Sequence, residues 1–392
     1  MVHSSCTVIG AGLVGSATAL HLNHLGFSVR ILDRRPSKMI CQSDSRALVL
    51  SHSSKKILCE LDLWSRLKEH LLPIMEIHVT EARAFGRVML TSKDVGLEAL
   101  GWSCEAGLLL SVLREAVQNS DSIETHWNTE VAEMNFIDGV WMLEGSKKDQ
   151  NLRIASDLLV AADGTDSIVC KFLEVTVDSI DYDQSAIVST LNTENNLGNK
   201  AYLRFLDKGS MALIPTASGQ VVSVLCVPEK VAEQVKGFSD ESFMAFLEES
   251  FGRRLGKSLR CGPRRKYAIR RQSLSKTNYG RCVILGNAAN TLHPNGAQGL
   301  NLGFRDVLAL GTCLSERTGD LDEALRIYDS KRRSDHVTTG LYSDLLAQLF
   351  ASNLGLARLT RRTLMGLVGN VRPLKRRFIL RSTGLIFFSA SN

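Results

Sequence analysis

Nothing in the cysteine pattern suggests a bridge or a metal. The nine cysteines run from Cys6 to Cys313 without a CxxC spacing, and their number is odd. Neither a disulfide framework nor a zinc site is expected, and a reducing cytosol suits the chain. No stretch reaches the roughly 18 apolar residues a bilayer span needs, and the first strand starts near Cys6, too early for a secretory leader. The expectation is a protein neither secreted nor transmembrane. Internal repeats and low-complexity segments are missing as well, and no aromatic–basic interleaving accompanies the positive charge, which argues against nucleic acid as a partner.

What is present is a chain of 392 residues with 44% hydrophobic content, enough for a large core and, at about 150 residues per domain, for two or three units that can interleave. The net charge of +6 is unevenly spread. One basic cluster comprises Arg253, Arg254, Lys257, Arg260, Arg264, Arg265, Lys266, Arg270 and Arg271. A second comprises Arg358, Arg361, Arg362, Arg372, Lys375, Arg376, Arg377 and Arg381, interspersed with Leu356, Leu359, Leu364, Leu367, Val368, Leu374, Ile379 and Leu380. Such a tail fits a helix lying on anionic lipid, or a solvated basic face over the core.

"CTVIGAGLVGSATALHLNHLGFSVRILDRRP" reads as strand (from Cys6 to Ile9), turn, helix (Leu13 to Leu25) and strand (Phe27 to Leu32). Gly10, Gly12 and Gly15 make G-x-G-x-x-G in strand-to-helix context, and Asp33 ends the second strand eighteen positions after Gly15. Glycines there allow a tight turn, close approach of amides to a pyrophosphate, and close helix–strand packing, while the acid suits a ribose hydroxyl. An adenine dinucleotide follows, with NAD and FAD sharing the fingerprint. Further on come a helix at 53–68, a strand near 74–80, a helix at 108–118 and alternating strands around 129–144. Asp163-Gly164 closes "LLVAADG" and Gly286-Asn287 closes "CVILGN", two further apolar runs ending in glycine turns. Strand ends that return repeatedly to the cofactor suit a long ligand, which favours FAD. Between about Asp178 and Ala268 the texture becomes strands with turn punctuation plus one helix near 241–251, a sheet-rich module inserted into the nucleotide-binding one. Helices follow from Gly299.

The order GxGxxG, D-x-R (Asp44, Arg46), "AADGTDS" and "GNAANTLHPNGAQGLNLGFRD" resembles the group A FAD-dependent aromatic monooxygenases, whose fold is that of para-hydroxybenzoate hydroxylase. Asn287, "TLHP", "FGRRLGK" at 251–257, "Y-x-x-K-R-R-x-D" at 328–335 and "DLLAQLF" at 344–350 resemble, within them, the ubiquinone-biosynthesis hydroxylases of the 2-polyprenyl-6-methoxyphenol hydroxylase type. The likeness covers roughly residues 5 to 350. It implies an α/β protein: an FAD-binding, Rossmann-like domain of glutathione-reductase type with an inserted sheet-rich substrate domain and C-terminal helices. The expected division is 1–75, 101–177 and 269–350 for the FAD domain, 76–100 and 178–268 for the substrate domain, and 351–392 for basic amphipathic helices.

The resemblance also implies roles. Gly10, Gly12, Gly15 and Asp33 would hold the ADP half of FAD, and Arg46 would lie near the pyrophosphate and flavin. Asp163-Gly164 would touch the cofactor and the nicotinamide donor. Gly286 and Asn287 would meet the ribityl-pyrophosphate region, Asn287 standing where most of the wider family has aspartate. His293, Pro294, Gln298, Gly299, Leu300 and Asn301 would wrap the flavin ring, His293 and Pro294 on its reactive face, with the helix amides near Gly299 aimed at its pyrimidine end. No metal is implied. The implied reaction is NAD(P)H- and O2-dependent hydroxylation of a prenylated phenol through a flavin hydroperoxide, by a protein peripheral to the cytoplasmic face of the membrane and associated with ubiquinone-biosynthesis partners. A same-fold flavin oxidoreductase and a weakly active scaffold in such an assembly stay open; the W-x-W-x-I-P signature of halogenases is absent. Two departures stand out. Ala297 occupies a position where relatives carry glycine, and Gly107-Leu108-Leu109-Leu110 supplies no polar flavin contact at the start of its helix, so FAD is expected to be held loosely.

Overall fold

The computed structural model describes residues 5–37, 44, 46–82, 87–147, 150–252, 256, 258–316, 320–351, 355–383 and 385, with the backbone alone at 147, 150, 258, 259, 349–351, 355–361 and 364. Arg253, Arg254 and Lys257 of the first basic cluster lie outside the described residues, as do the side chains of Leu356, Arg358, Leu359, Arg361 and Leu364 in the tail.

Two sheets organise the chain. The first has six strands in the order Asn278–Tyr279, Cys282–Ile284, Leu158–Ala161, Ser5–Ile9, Ser28–Asp33 and Ile123–Trp127, parallel except for the edge pair Asn278–Tyr279 with Cys282–Ile284. Its central strands read as continuous apolar runs because both faces are covered. Cys6, Val8, Ile31, Val160 and Val283 are at most 1% exposed. The first helix, α1 (Leu13–His24), packs over it.

The expected helix at 53–68 is instead two pieces. α2 (His52–Glu60) is capped by the Ser51 hydroxyl, and α3 (Trp64–Leu67) follows a break at Asp62, whose φ of 56° cannot continue a right-handed helix. The turn lets Leu61 and Leu63 both bury. The strand expected near 74–80 is likewise divided. Leu72–Ile74 pairs with Gly101–Glu105 in a small sheet that also holds Ala47–Leu50, while Glu76–Glu81 joins the second large sheet. α4 (Ala106–Gln118) starts two residues before the sequence suggested, because the carbonyls of Arg46 and Asp44 accept from the Ala106 and Gly107 amides.

Thr129–Ile137, Val140–Lys147 and Gln150–Ser156 form a three-stranded antiparallel sheet. The short α5 (Ile168–Phe172) then leads to the second large sheet, built on the long strand Val177–Thr193 with Val221–Pro228, Gly209–Pro215, Lys200–Leu206, Glu76–Glu81 and Arg87–Thr91 to one side and Arg265–Leu274 to the other. Helices α6 (Glu229–Lys236) and α7 (Asp240–Phe251) cover one of its faces, burying Ala232, Val235, Phe243 and Leu247 against Ile187, Met211 and Leu225. α8 (Gln298–Ser315) returns against α1, and α9 (Leu321–Ala351) lies along α8. α10 (Gly355–Asn370) and α11 (Arg372–Ser382) close the fold. They bring Met365, Val368, Phe378 and Ile379 against Val88, Leu90 and Leu100, so the tail packs on the second sheet as well as presenting charge to solvent. Among the described residues no helix is long and apolar enough to cross a membrane.

Candidate functional site

One cavity of about 1470 Å³ joins the C-terminal ends of the first sheet to the uncovered face of the second. That exceeds the roughly 300–1,000 Å³ typical of a single small-ligand site, leaving room for a cofactor and a second molecule.

The two outer glycines of the fingerprint are required by packing and the middle one by vacancy. A Cβ at Gly10 would stand 2.5 Å from the Ala162 carbonyl oxygen, and one at Gly15 only 1.8 Å from the Gly10 oxygen. A Cβ at Gly12 would meet nothing within 4 Å, and Gly12 lines the cavity. α1 begins directly behind it without a side-chain cap, so its first-turn amides stay open to a ligand anion. Asp33 is 4% exposed; its Oδ2 accepts from the Ala11 amide at 2.8 Å and from Arg114 at 3.3 Å, and Arg35 donates to both of its oxygens. Burial pushes its pKa up, but the bonds from Arg35 and Ala11 prevail and leave it below the usual carboxylate range. Arg114 was not singled out from the sequence. It looks like an ordinary helix arginine, yet it is buried beneath the turn, donates to the Ala11 carbonyl and sits 4.9 Å from the Trp127 ring.

Arg46 pairs with Asp44 at 2.6 Å and lies 5.4 Å from the Tyr267 ring on the cavity wall. Asp163 accepts from the Ile168 amide through Oδ2, while its Oδ1 is buried with no protein partner among the described residues. Burial raises its pKa. Gly164, at φ 93°, faces open space. Gly286 has φ 58° and donates its amide to Asp306, and Asn287 is exposed into the cavity beside Gly299.

The Gly286 turn rests on a buried ionic network that the sequence reading missed. Asp306 is fully buried and bonded by Arg332 and His336, both at 2.7 Å, while Asp335 is bonded by Arg305 at 2.8 Å and Arg332 at 2.7 Å. Burial pushes both carboxylates up, and the facing cations outweigh it, holding them low. "GFRD" and "KRRSDH" are thus two halves of one lock between α8 and α9. The visible signal was the Arg305-Asp306 pair between Phe304 and Val307, charge set in an otherwise apolar helix.

On the loop that leads into α8, His293 is 2% exposed. Its Nδ1 accepts from the Asn295 amide, its Nε2 faces Gln184 Oε1 at 3.3 Å, and burial lowers its pKa to about 4, so it is neutral with the proton on Nε2. Pro294 is exposed on the cavity wall and Leu300 lines it. Gln298 is buried, its amide donating to the Gly296 and Ser382 carbonyls. Asn301 is spent on architecture: it accepts from the Ser51 amide and Ser54 hydroxyl and donates to the Val49 and Ala297 carbonyls, so only its backbone is left to face a ligand. Ala297 caps α8 at φ 51°, ψ 34°. The conformation is the left-handed one that glycine adopts freely, and the chain holds it with a methyl group in place. The apolar start of α4 lends Leu110 to the cavity wall, and its first amides are taken by the 44–46 segment.

The open cradle at Gly12, the orphaned acceptor of Asp163 and the uncapped helix start all fit a dinucleotide pyrophosphate and its attached hydroxyls. Beyond them the cavity is walled by Val79, Leu90, Val188, Leu203, Ile214 and Val224 from the sheet and by Met365, Val368, Phe378 and Ile379 from α10 and α11.

A family model described as FAD binding domain matches residues 3–338, and the chain belongs to this family. FAD is its cofactor, and among the described residues no group of His, Cys, Asp and Glu could hold a metal ion. The chain is 27% identical over 391 residues to ubiquinone hydroxylase UbiL of Rhodospirillum rubrum, covering 97% of this chain and 89% of that one. It is 26% identical to 3-demethoxyubiquinol 3-hydroxylase of Escherichia coli, with 96% and 98% covered. In structure it is similar to p-nitrophenol 4-monooxygenase of Pseudomonas putida, with a TM-score of 0.81, 16% identity and 97% and 98% of the chains covered.

Proposed function

We propose that this protein is an FAD-dependent monooxygenase that hydroxylates the ring of a polyprenylated phenol in ubiquinone biosynthesis, consuming NAD(P)H and O2. The observation that carries the reading is the continuity of the cavity: a dinucleotide cradle at one end opens into an apolar chamber at the other. The relatives named as ubiquinone hydroxylases support the substrate class.

When bound, FAD supplies the redox chemistry, accepting reducing equivalents from the nicotinamide and delivering one oxygen atom of O2. Gly12 and the α1 amides would hold its pyrophosphate, Asp33 a ribose hydroxyl, and Asn287, a neutral donor and acceptor, the ribityl region without adding repulsion. The start of α8 would lend its amides to negative charge on the reduced ring. Neutral His293 keeps the loop shape through its fixed tautomer, and the sheet and α10–α11 exclude water from the reacting carbon.

The prenyl chain calls for access from lipid. The exposed Arg372, Arg376 and Arg377, with the exposed Leu367, Val371 and Leu374, support peripheral contact with anionic lipid at the cytoplasmic face of the membrane, alongside ubiquinone-biosynthesis partners.

Complementation tests the function. Expression in a ubiquinone-deficient strain lacking a ring hydroxylation step should restore quinone, and accumulation of the unhydroxylated prenylphenol despite good expression sinks the reading. The purified protein should be yellow or become so with excess FAD.

A further inference from the structure

Arg381, unlike the exposed Arg372 and Arg376 on α11, turns inward. It lines the apolar chamber, its Nη2 donates to the Thr338 carbonyl at 3.1 Å, and its Nε is buried with no hydrogen-bond partner among the described residues. No carboxylate among those residues forms an ion pair with it, whereas Lys375 and Arg362 of the same tail pair with Asp94 and Glu81. One helical turn beyond Thr338, Tyr342 lines the same chamber, and its hydroxyl makes no hydrogen bond to the described residues. Residues four apart on a helix stand about 6 Å from each other, so the carbonyl that fixes the guanidinium also places it beside Tyr342. The Tyr342 ring stands 6.0 Å from the Phe378 ring, and a Cβ at Gly296 would come within 3.8 Å of it. The pair therefore sits where the apolar chamber meets the loop that leads into α8.

The surrounding charges leave this spot positive. Arg377, one turn before Arg381, also lines the cavity, and α10 and α11 contain no acidic residue. Asp344 on α9 is turned away, bonded by Tyr182 and Arg271, and His293 on the loop is neutral. Burial pushes the Tyr342 phenol up and the Arg381 charge pulls against it, so at neutral pH the hydroxyl is a donor. An unpaired cation and an unpaired donor in an otherwise apolar wall are costly unless a ligand anion meets both.

We propose that Tyr342 and Arg381 form a subsite that binds the ring oxygen of the aromatic substrate as its phenolate. The subsite rests on the reading that the substrate is a prenylated phenol. It selects the anion from the solution equilibrium, so the phenolic proton is left with solvent and no acceptor within the chain is needed. The oxygen charge, held by Arg381 and the Tyr342 O–H, pushes electron density into the ring carbons that must attack, while the aliphatic walls take the prenyl chain.

The test is binding of 2-geranyl-4-nitrophenol, whose phenolate is coloured, to the FAD-loaded protein, followed by difference absorbance across pH. The wild-type protein should lower the apparent pKa of the bound probe by about one unit or more, a tenfold preference for the anion. Arg381→Met should abolish that shift and weaken anion binding about tenfold or more, Tyr342→Phe should reduce the shift, and Arg372→Met on the outer surface should change neither. Wild-type protein that leaves the probe's pKa unmoved, or Arg381→Met that binds the anion as tightly as wild type, overturns the subsite. If Arg381→Met does not retain FAD, Tyr342→Phe decides, and full retention of the shift refutes the proposal. Turnover is not needed for the readout, so anion binding by a protein that hydroxylates nothing removes the proposed function and leaves the subsite standing.

Discussion

Arg114 and Asp33, 81 residues apart in sequence, meet at 3.3 Å beneath the first glycine turn with side chains only 3% and 2% exposed. The contact ties α4 to the end of the second strand, so a carboxylate on the cavity wall is held in place by the protein itself. Arg114→Met should leave the buried Asp33 to Arg35 and the Ala11 amide alone and cost about 2 kcal/mol, read as a lower denaturation midpoint, with FAD affinity falling alongside. An unchanged midpoint contradicts the assignment.

The fingerprint glycines should separate stability from cofactor affinity. Gly12→Ala meets no protein atom, so the apoprotein should melt as wild type does while FAD binds about tenfold or more weakly. Gly15→Ala, with its Cβ 1.8 Å from the Gly10 oxygen, should not accumulate as folded protein. Equal FAD affinity in Gly12→Ala and wild type would place the pyrophosphate elsewhere.

Ala297 offers a gain. Its left-handed backbone costs about 1 kcal/mol for a residue with a Cβ, partly offset by the greater unfolded-state freedom of glycine. Ala297→Gly should raise stability by about 0.5 kcal/mol and Ala297→Val should lower it, both checked by urea denaturation. A loss in Ala297→Gly counts against the strain argument.

His293 sets an acid limit. In the unfolded chain it takes a proton below about pH 6.5, while in the fold burial lowers its pKa to about 4. Between those values the unfolded state binds more protons, so this contribution to stability is complete above pH 6.5 and declines as pH falls toward 4. From pH 7 to 5, wild type should lose on the order of 1–2 kcal/mol more than His293→Gln. Parallel losses in the two proteins would show that His293 titrates normally.

Reversing the outer charges of α11 addresses the membrane. Each cation near an anionic surface contributes about 1 kcal/mol, so Arg372→Glu and Arg376→Glu combined should release the protein from anionic vesicles with flavin content intact. Retained binding excludes this face. Deleting the tail is a poorer test, because it would bare Val88, Leu90 and Leu100.

Local pattern served the first strand–turn–helix well, since its glycines answer to contacts within the first fifteen residues and with the end of one neighbouring strand. The family likeness carried the remaining strand ends. Neither revealed the long-range pairings: Arg114 with Asp33, Arg332 with Asp306, and Gln298 with Ser382 are defined by packing between elements far apart in sequence. The break at Asp62 was hidden because leucines on either side keep an apolar pattern that a continuous helix would share. Arg381 looked like one more basic tail residue until the fold turned it toward Thr338.

The placement of α11 bears on how the protein is made. Phe378 and Ile379 complete a wall of the cavity that Gly12 also lines, so a ribosome must translate as far as α11 before that chamber can shut. The Gly12 cradle and most of its supports emerge hundreds of residues earlier, and a nascent polypeptide could therefore take up its flavin while the compartment for the oily substrate still lies open.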